Sequence, residues 1–250
     1  MNPKLNNRGR GDGSGIHLTR FSERKVSVND APVSSPEAAG AAGGSRGMGF
    51  IKGAIDSALA LVKSPSGYMT ANKEAPATIN EIMVNYVAVL AAIPFLATLL
   101  GDLWYYSAYA PLGFVGSFVA YAFVSAVLAY ILNVVAVYVI AMVIGALAPT
   151  FGSVPDQVKA MKLAAFVFTP VFLIGILDIV PLLGVLSILG VLYGLYILYL
   201  GLPILLGTPA DKTVTYLVAV LVVTVVVYLI MGEIVGLVSA AVFHAGGGIL

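Results

Sequence analysis

The chain has 250 residues, of which 60% are hydrophobic and only 10% charged, with a mean hydropathy of +0.99; soluble domains run at about 45–50% apolar and about 25% charged. That composition excludes a water-soluble globular protein and points to an all-α, polytopic membrane helical bundle. There is no cysteine, which excludes disulfides, thiolate metal sites and thiol redox chemistry, and the net charge of +1 says nothing about partners because the thirteen Lys and Arg are placed so unevenly.

Residues 1–47 are rich in Gly, Ser, Asn and Pro with mixed charge and no hydrophobic period, the pattern of a disordered cytosolic tail. The Arg-Gly-Arg-Gly piece at residues 8–11 is too short to argue for nucleic acid, and none is expected as a partner. Residues 48–80 change character. Phe50, Ile51, Ala54, Ile55, Ala58, Leu59 and Val62 recur at helical spacing, with Lys52, Asp56 and Lys63 mostly on the other face. This predicts an amphipathic helix lying in the membrane interface or packed on the cytosolic ends of the bundle. Ser64-Pro65-Ser66-Gly67 is expected to end it, and a polar connector follows.

The membrane domain is expected over residues 81–243, with spans at about 82–100, 112–148, 160–178, 181–206 and 213–242. The first is nineteen residues long, enough for a hydrocarbon core of ~30 Å, and starts too late for a cleavable signal peptide, so it should serve as its own targeting signal. Gly101 to Tyr106, with Tyr109, reads as an interfacial aromatic loop. Residues 112–149 would reach roughly 57 Å as one helix, so they form either one over-long helix or two segments, the second case giving a small-residue face of Gly113, Gly116, Ser117 and Ala120. Residues 151–162 are polar and read as a loop entering a new helix, and residues 207–212 as another loop. Counting basic residues decides between one crossing and two. A single crossing gives five spans and puts all thirteen Lys and Arg on one side; by the positive-inside rule that side, with the amino terminus, is cytosolic and the carboxyl terminus is outside.

The most sorted stretch is 181–203. Gly190, Gly194 and Gly201 fall within roughly 40° of one another at about 100° per residue, and Tyr193, Tyr196 and Tyr199 lie on the other side. The glycine face permits close helix approach, within the bundle or in a homo-oligomer. No catalytic, cofactor or metal constellation is visible: the two histidines, His17 and His244, lie at opposite ends of the chain, and residues 9–15 lack the Lys-Ser/Thr of a phosphate loop. No cofactor is expected. Ionisable groups inside a membrane are costly and so are candidates for function. Glu233 is either a proton or ion site or an interfacial carboxylate. Asp178 is either intramembrane or the cap of the helix near Pro181. Asn133 is expected to bond across helices.

Several short motifs, in order, carry a resemblance: Lys63-Ser64-Pro65 with Glu74 after it; Asn85-Tyr86 leading to Ile93-Pro94; Ala148-Pro149-Thr150-Phe151-Gly152; and Tyr193-Gly194-Leu195-Tyr196 with Leu200-Gly201-Leu202-Pro203, then Lys212. Over residues 48–240 the chain resembles the YIP family of small five-span membrane proteins, first known as interactors of Rab-type GTPases, and is most similar to its prokaryotic branch. The acidic Asp-Leu…Gly-Pro segment that eukaryotic members carry ahead of the first span has no counterpart here, so GTPase binding does not carry over. The resemblance implies five spans, no catalysis, and a scaffold role in membrane trafficking or organisation, with the lipid bilayer and protein partners at the cytosolic face. This makes a multi-pass protein of a prokaryotic plasma membrane the expectation. The rival expectation is a small transporter or channel using Glu233 and Asp178.

Overall fold

The computed structural model describes residues 46–109 and 115–245, all within one compact unit of the chain. The expectations for the tail of residues 1–45, for Gly113 and for the last five residues lie outside them. Every regular element is helical: α1 (Arg46–Lys63), α2 (Pro65–Asn72), α3 (Ile79–Ile82), α4 (Ala88–Tyr109), α5 (Val115–Leu147), α6 (Gln157–Ile174), α7 (Ser187–Leu206) and α8 (Ala210–Ala245). Short segments of other helical pitch join them. A π turn over Met83–Val87 fuses α3 to α4, and 3₁₀ turns occupy Ala148–Phe151, Gly175–Ile179 and Pro181–Leu186. Among the described residues five stretches are long and apolar enough to cross a membrane: Ile79–Tyr105, Phe118–Phe151, Gln157–Ile179, Leu182–Leu206 and Ala210–Val242.

Several boundaries differ from the sequence expectation. The first span begins at Ile79, not Ile82, because Thr78 and Glu81 close a capping box: the Glu81 amide donates to the Thr78 hydroxyl at 3.2 Å and the Thr78 amide to the Glu81 carboxylate at 2.8 Å. Residues 101–106 are helix, not loop. Gly101 is a packing site rather than a turn, since a Cβ there would lie 2.7 Å from the carbonyl oxygens of Asp178 and Ile179. Residues 115–147 form one unbroken helix, so the two-segment alternative is overturned for the described residues, Ala120 included. α1 ends at Lys63, where Ser64-Pro65 is expected to end it; the difference lies beyond, where Pro65 opens α2 at its first turn, a place where its missing N–H costs nothing. Residues 157–162 belong to α6, whose start is set by Asp156, the side chain of which accepts from the Lys159 amide at 3.0 Å.

The passes pack around α6. Over an eighteen-residue apolar stretch of its span 67% of the residues are buried, against 17% for the last span, which makes α6 the axis and α8 the outer helix. The core runs through Leu90 and Ala91 of α4, Val137, Ile140 and Ile144 of α5, Leu163 and Phe172 of α6, Leu198 and Leu202 of α7 and Tyr216 of α8. α1 joins it: Ala54, Ala58 and Leu61 are buried in the same core while Ile51 and Leu59 stay exposed. Because the spans alternate in direction, Lys52, Lys63, Lys73, Lys159, Lys162 and Lys212 all belong to segments at one end of the bundle, hereafter the basic end.

Candidate functional site

At the basic end, the segment between α2 and α3 is held as a fixed surface by two lysines of α6. Lys162 is buried, at 6% exposure, and its Nζ donates to the carbonyl oxygens of Asn72 (3.1 Å), Lys73 (3.4 Å) and Ala75 (2.5 Å). An ammonium has three donors, so all are spent on one short run of backbone past the end of α2, where the Asn72 carbonyl also accepts from the Ala75 amide at 3.4 Å. One turn earlier, Lys159 reaches Glu74 at 2.8 Å and Asp156 at 3.9 Å. The hydrogen bond from Lys159, aided by its charge, holds the Glu74 carboxyl below the usual carboxylate range.

The wall behind this segment is aromatic. Phe166 stands edge-on to Tyr68 and to Tyr86, with ring centroids 5.5 and 6.2 Å apart. Tyr86 is buried and donates to the Thr169 hydroxyl at 2.8 Å, whose own proton goes to the Ala165 carbonyl at 2.9 Å. Burial pushes the Tyr68 phenol up, and a hydrogen bond with Ser57 on α1 partly offsets this. The π turn puts Tyr86 on the inside and leaves Asn85 exposed at the rim; such turns recur at functional sites. Together these residues line a cleft of about 170 Å³, with Pro76 and Glu81 at its edge. It sets the Glu81 carboxylate and the Asn85 amide around an apolar, aromatic floor, with Lys162 already paired.

A second junction locks the same end. The Ser153 hydroxyl meets that of Thr208 at 2.8 Å, and the Val154 amide donates to the Leu206 carbonyl at 2.9 Å. Phe151 stacks on Tyr216 at 4.6 Å, and the Tyr216 hydroxyl bonds the Ile144 carbonyl. Gly152, at φ 70°, makes the turn that lets Phe151 reach inward.

The residues singled out in the sequence fall in three places. The glycine face of α7 lies against α6: a Cβ at Gly190 would come within 3.0 Å of the Pro170 carbonyl oxygen, one at Gly194 within 2.6 Å of the Val167 carbonyl oxygen, and one at Gly201 would strike the Leu163 side chain. On the other side, Tyr193 donates to the Val62 carbonyl of α1 at 2.8 Å, while Tyr196 and Tyr199 are exposed. Asn133 and Asp178 line one cavity of about 190 Å³ between α4, α5 and α6. Asn133 accepts from the Tyr228 hydroxyl at 3.1 Å and donates to the Ala129 carbonyl at 2.8 Å. Asp178 does not cap the helix near Pro181, which carries no side-chain cap; it accepts from the Ser187 hydroxyl in the first turn of α7 at 3.3 Å. Glu233 is exposed on α8 and lines no cavity with Asp178. Among the described residues no cluster of His, Asp and Glu could hold a metal ion.

Sequence reasoning missed Lys162 and the Tyr86–Thr169 pair. Asp156 three residues before Lys159 was the available signal: reading it as a helix cap moves both lysines from a loop onto α6, on neighbouring turns.

The architecture defines a five-pass, all-helical membrane protein closed at its basic end by a clamped connector. The Yip1 domain family model matches residues 59–232, well over half of the chain, and the chain belongs to that family. The match includes Glu74, Asn85, Tyr86 and Lys162, so the cleft lies inside the family domain. No curated protein and no solved structure matches the chain.

Proposed function

We propose that this protein is a non-enzymatic membrane-organising scaffold of a prokaryotic plasma membrane, and that it acts through protein partners met at its basic end. Its basic end and amino terminus face the cytosol and its carboxyl terminus faces outward, since Lys and Arg of short loops stay on the cytosolic side. The observation that carries the reading is the clamped segment of residues 72–78: Lys162 and Lys159 hold it against α6 at two points, presenting a preformed cleft instead of a floppy linker. A rigid surface avoids the ordering cost a mobile linker would incur on binding.

The transporter alternative needs Glu233 and Asp178 on one path. They are not brought together: Asp178 lines a cavity whose walls do not include Glu233. The test is site-specific photocrosslinking in cells. A photoreactive residue at Asn85, exposed at the cleft rim, is expected to yield discrete protein adducts; one at Leu229, exposed at mid-span on α8, is expected to yield lipid. Adducts to a second copy of the chain would define the partner as itself. If Asn85 yields no protein adduct, or if Glu233→Gln and Asp178→Asn abolish a proton or ion flux in liposomes while the protein stays folded, the scaffold reading fails.

A further inference from the structure

The cavity between α4, α5 and α6 has a chemistry that the scaffold role does not use. It is lined at one place by the Asp178 carboxylate and Ser187, and at another by Asn133 and Tyr130. On α5, Asn133 lies near the middle of the span Phe118–Phe151, while Asp178 lies at the end opposite the basic end, where its carbonyl abuts Gly101. The cavity therefore extends from the far end of the bundle toward the membrane midplane.

The Tyr130 hydroxyl spends its proton on the Ala88 carbonyl at 3.2 Å, the Ser187 hydroxyl on Asp178 at 3.3 Å, and the Asn133 amide on the Ala129 carbonyl at 2.8 Å. The Tyr130 and Ser187 hydroxyls turn lone pairs toward the space, the Asn133 oxygen is taken by the Tyr228 hydroxyl, and a carboxylate is acceptor-only when ionised. Asp178 is the cavity's one carboxylate, its other polar groups, Thr98 included, are neutral, and no Lys or Arg lines it. Asp178 has no ion-pair partner among the described residues, and every described Lys and Arg belongs to the opposite end. Asp102, the residue after Gly101, adds a second carboxylate to this end. The walls are aromatic: Phe95 and Tyr130 both line the cavity, with ring centroids 5.4 Å apart. An aromatic face attracts a cation within about 6 Å.

We propose that this cavity binds a small alkylammonium cation, with Asp178 as counter-charge and Phe95 and Tyr130 as aromatic walls. An ammonium head supplies the positive charge that Asp178 has no partner for, and its alkyl part suits Ala91, Ala126 and Val171. At about 30 Å³ per water-sized group, the cavity's 190 Å³ holds about six such groups. A bare inorganic cation satisfies the acceptors and leaves the apolar walls unused. This inference is independent of the scaffold reading.

The test uses the full chain in lipid nanodiscs, titrated by calorimetry with methylammonium and tetramethylammonium, with sodium as the comparison. Saturable binding of an alkylammonium is expected, at least tenfold tighter than sodium. Asp178→Asn keeps the shape and an acceptor for Ser187 while removing the charge, and is expected to weaken binding at least tenfold. Ala129→Leu, which fills the cavity without touching the carboxylate, is expected to do the same; Glu233→Gln, outside the cavity, is expected to leave binding unchanged. No saturable binding to the wild-type chain overturns the proposal, as does sodium binding equally well, or equal binding by either cavity variant with its helical circular dichroism intact.

Discussion

Lys162 shows how much one residue decides in this protein. In the sequence it is one of two lysines near the start of an apolar run. In the fold it is buried and ties three backbone carbonyls to α6. Lys162→Met keeps the apolar stem but takes the donor from the part-buried Lys73 and Ala75 carbonyls, while Asn72 keeps the Ala75 amide; leaving a buried acceptor unsatisfied costs about 1–3 kcal/mol. The variant is expected to lose about 1–3 kcal/mol in thermal unfolding followed by circular dichroism, and to be cut faster within residues 73–78 by limited proteolysis. Glu74, its neighbour in the clamp, behaves differently. Its side chain is 73% exposed, and exposed ion pairs contribute little, so Glu74→Gln is expected to leave melting near the wild-type value at neutral pH. The sign of its pH dependence follows from the direction of its shift. The Lys159 hydrogen bond lowers the folded-state value, so the contribution of Glu74 is present above the ordinary glutamate range and is lost as the pH falls through the lowered value. Below that point wild type and Glu74→Gln should be cut within residues 73–78 at the same rate. Burial of Lys162 was not legible in sequence, because nothing local marks a lysine as having its partners 87 to 90 positions away.

At the scale of elements, α7 was the most legible stretch and α4 the least. The glycines of α7 are sorted because α6 lies on top of them. Gly194→Ala would put a Cβ 2.6 Å from the Val167 carbonyl oxygen, which backbone cannot yield without α6 and α7 moving apart. Overpacking of this kind costs about 1–3 kcal/mol, and a melt should show a loss of that size. Gly236 on α8 is the internal control: nothing lies within 4 Å of an added Cβ, so Gly236→Ala is expected to be neutral or to gain up to about 1 kcal/mol in helix propensity. Residues 101–106 of α4 misled because Gly, Asp, Trp and Tyr together look like an interfacial turn. The aromatic composition does favour headgroup level, but it is compatible with helix, and the glycine there serves close approach by residues 178 and 179. α5 and α8, at 33 and 36 residues, would reach about 50 and 54 Å, so both overshoot a hydrocarbon core of ~30 Å. That excess is what made α5 ambiguous in sequence.

For the whole molecule, the alternation of five passes makes a prediction about sidedness that needs no partner. The chain has no native cysteine, so single cysteines can be read with an impermeant thiol reagent in intact cells. Val154 and Ser66 are exposed at the basic end, and Leu182, at 83% exposure, is the first residue of the fourth span, beside the turn that joins it to the third. Labelling is expected at Leu182 alone. Labelling at Val154 or Ser66 without permeabilisation would invert the proposed orientation. Ser153 is unsuitable as a reporter, because it is buried and bonded to Thr208. The same view changes how α1 should be probed. Deleting residues 48–63 would remove Ala54, Ala58 and Leu61 from the main core and so would test folding rather than recruitment; substitutions at exposed Ile51 or Lys52 are the informative ones.

The sequence by itself determined the class, the number of crossings and which end is basic. Those properties depend on apolar run length and charge position, and both are written along one dimension. Only the tertiary structure decided which faces meet: that Lys162 clamps the connector, that α1 joins the core, and that Asn133 and Asp178 share a cavity while Glu233 stands apart. The physical reason is the solvent. In water the apolar stripe of a helix marks its buried face, whereas in lipid every face is apolar and packing follows shape and a few hydrogen bonds. Where shape is written in residue type, as in the glycines of α7, the facing surface could be read in advance; where it depends on the rotation of α4, α5 and α6 about one another, it could not.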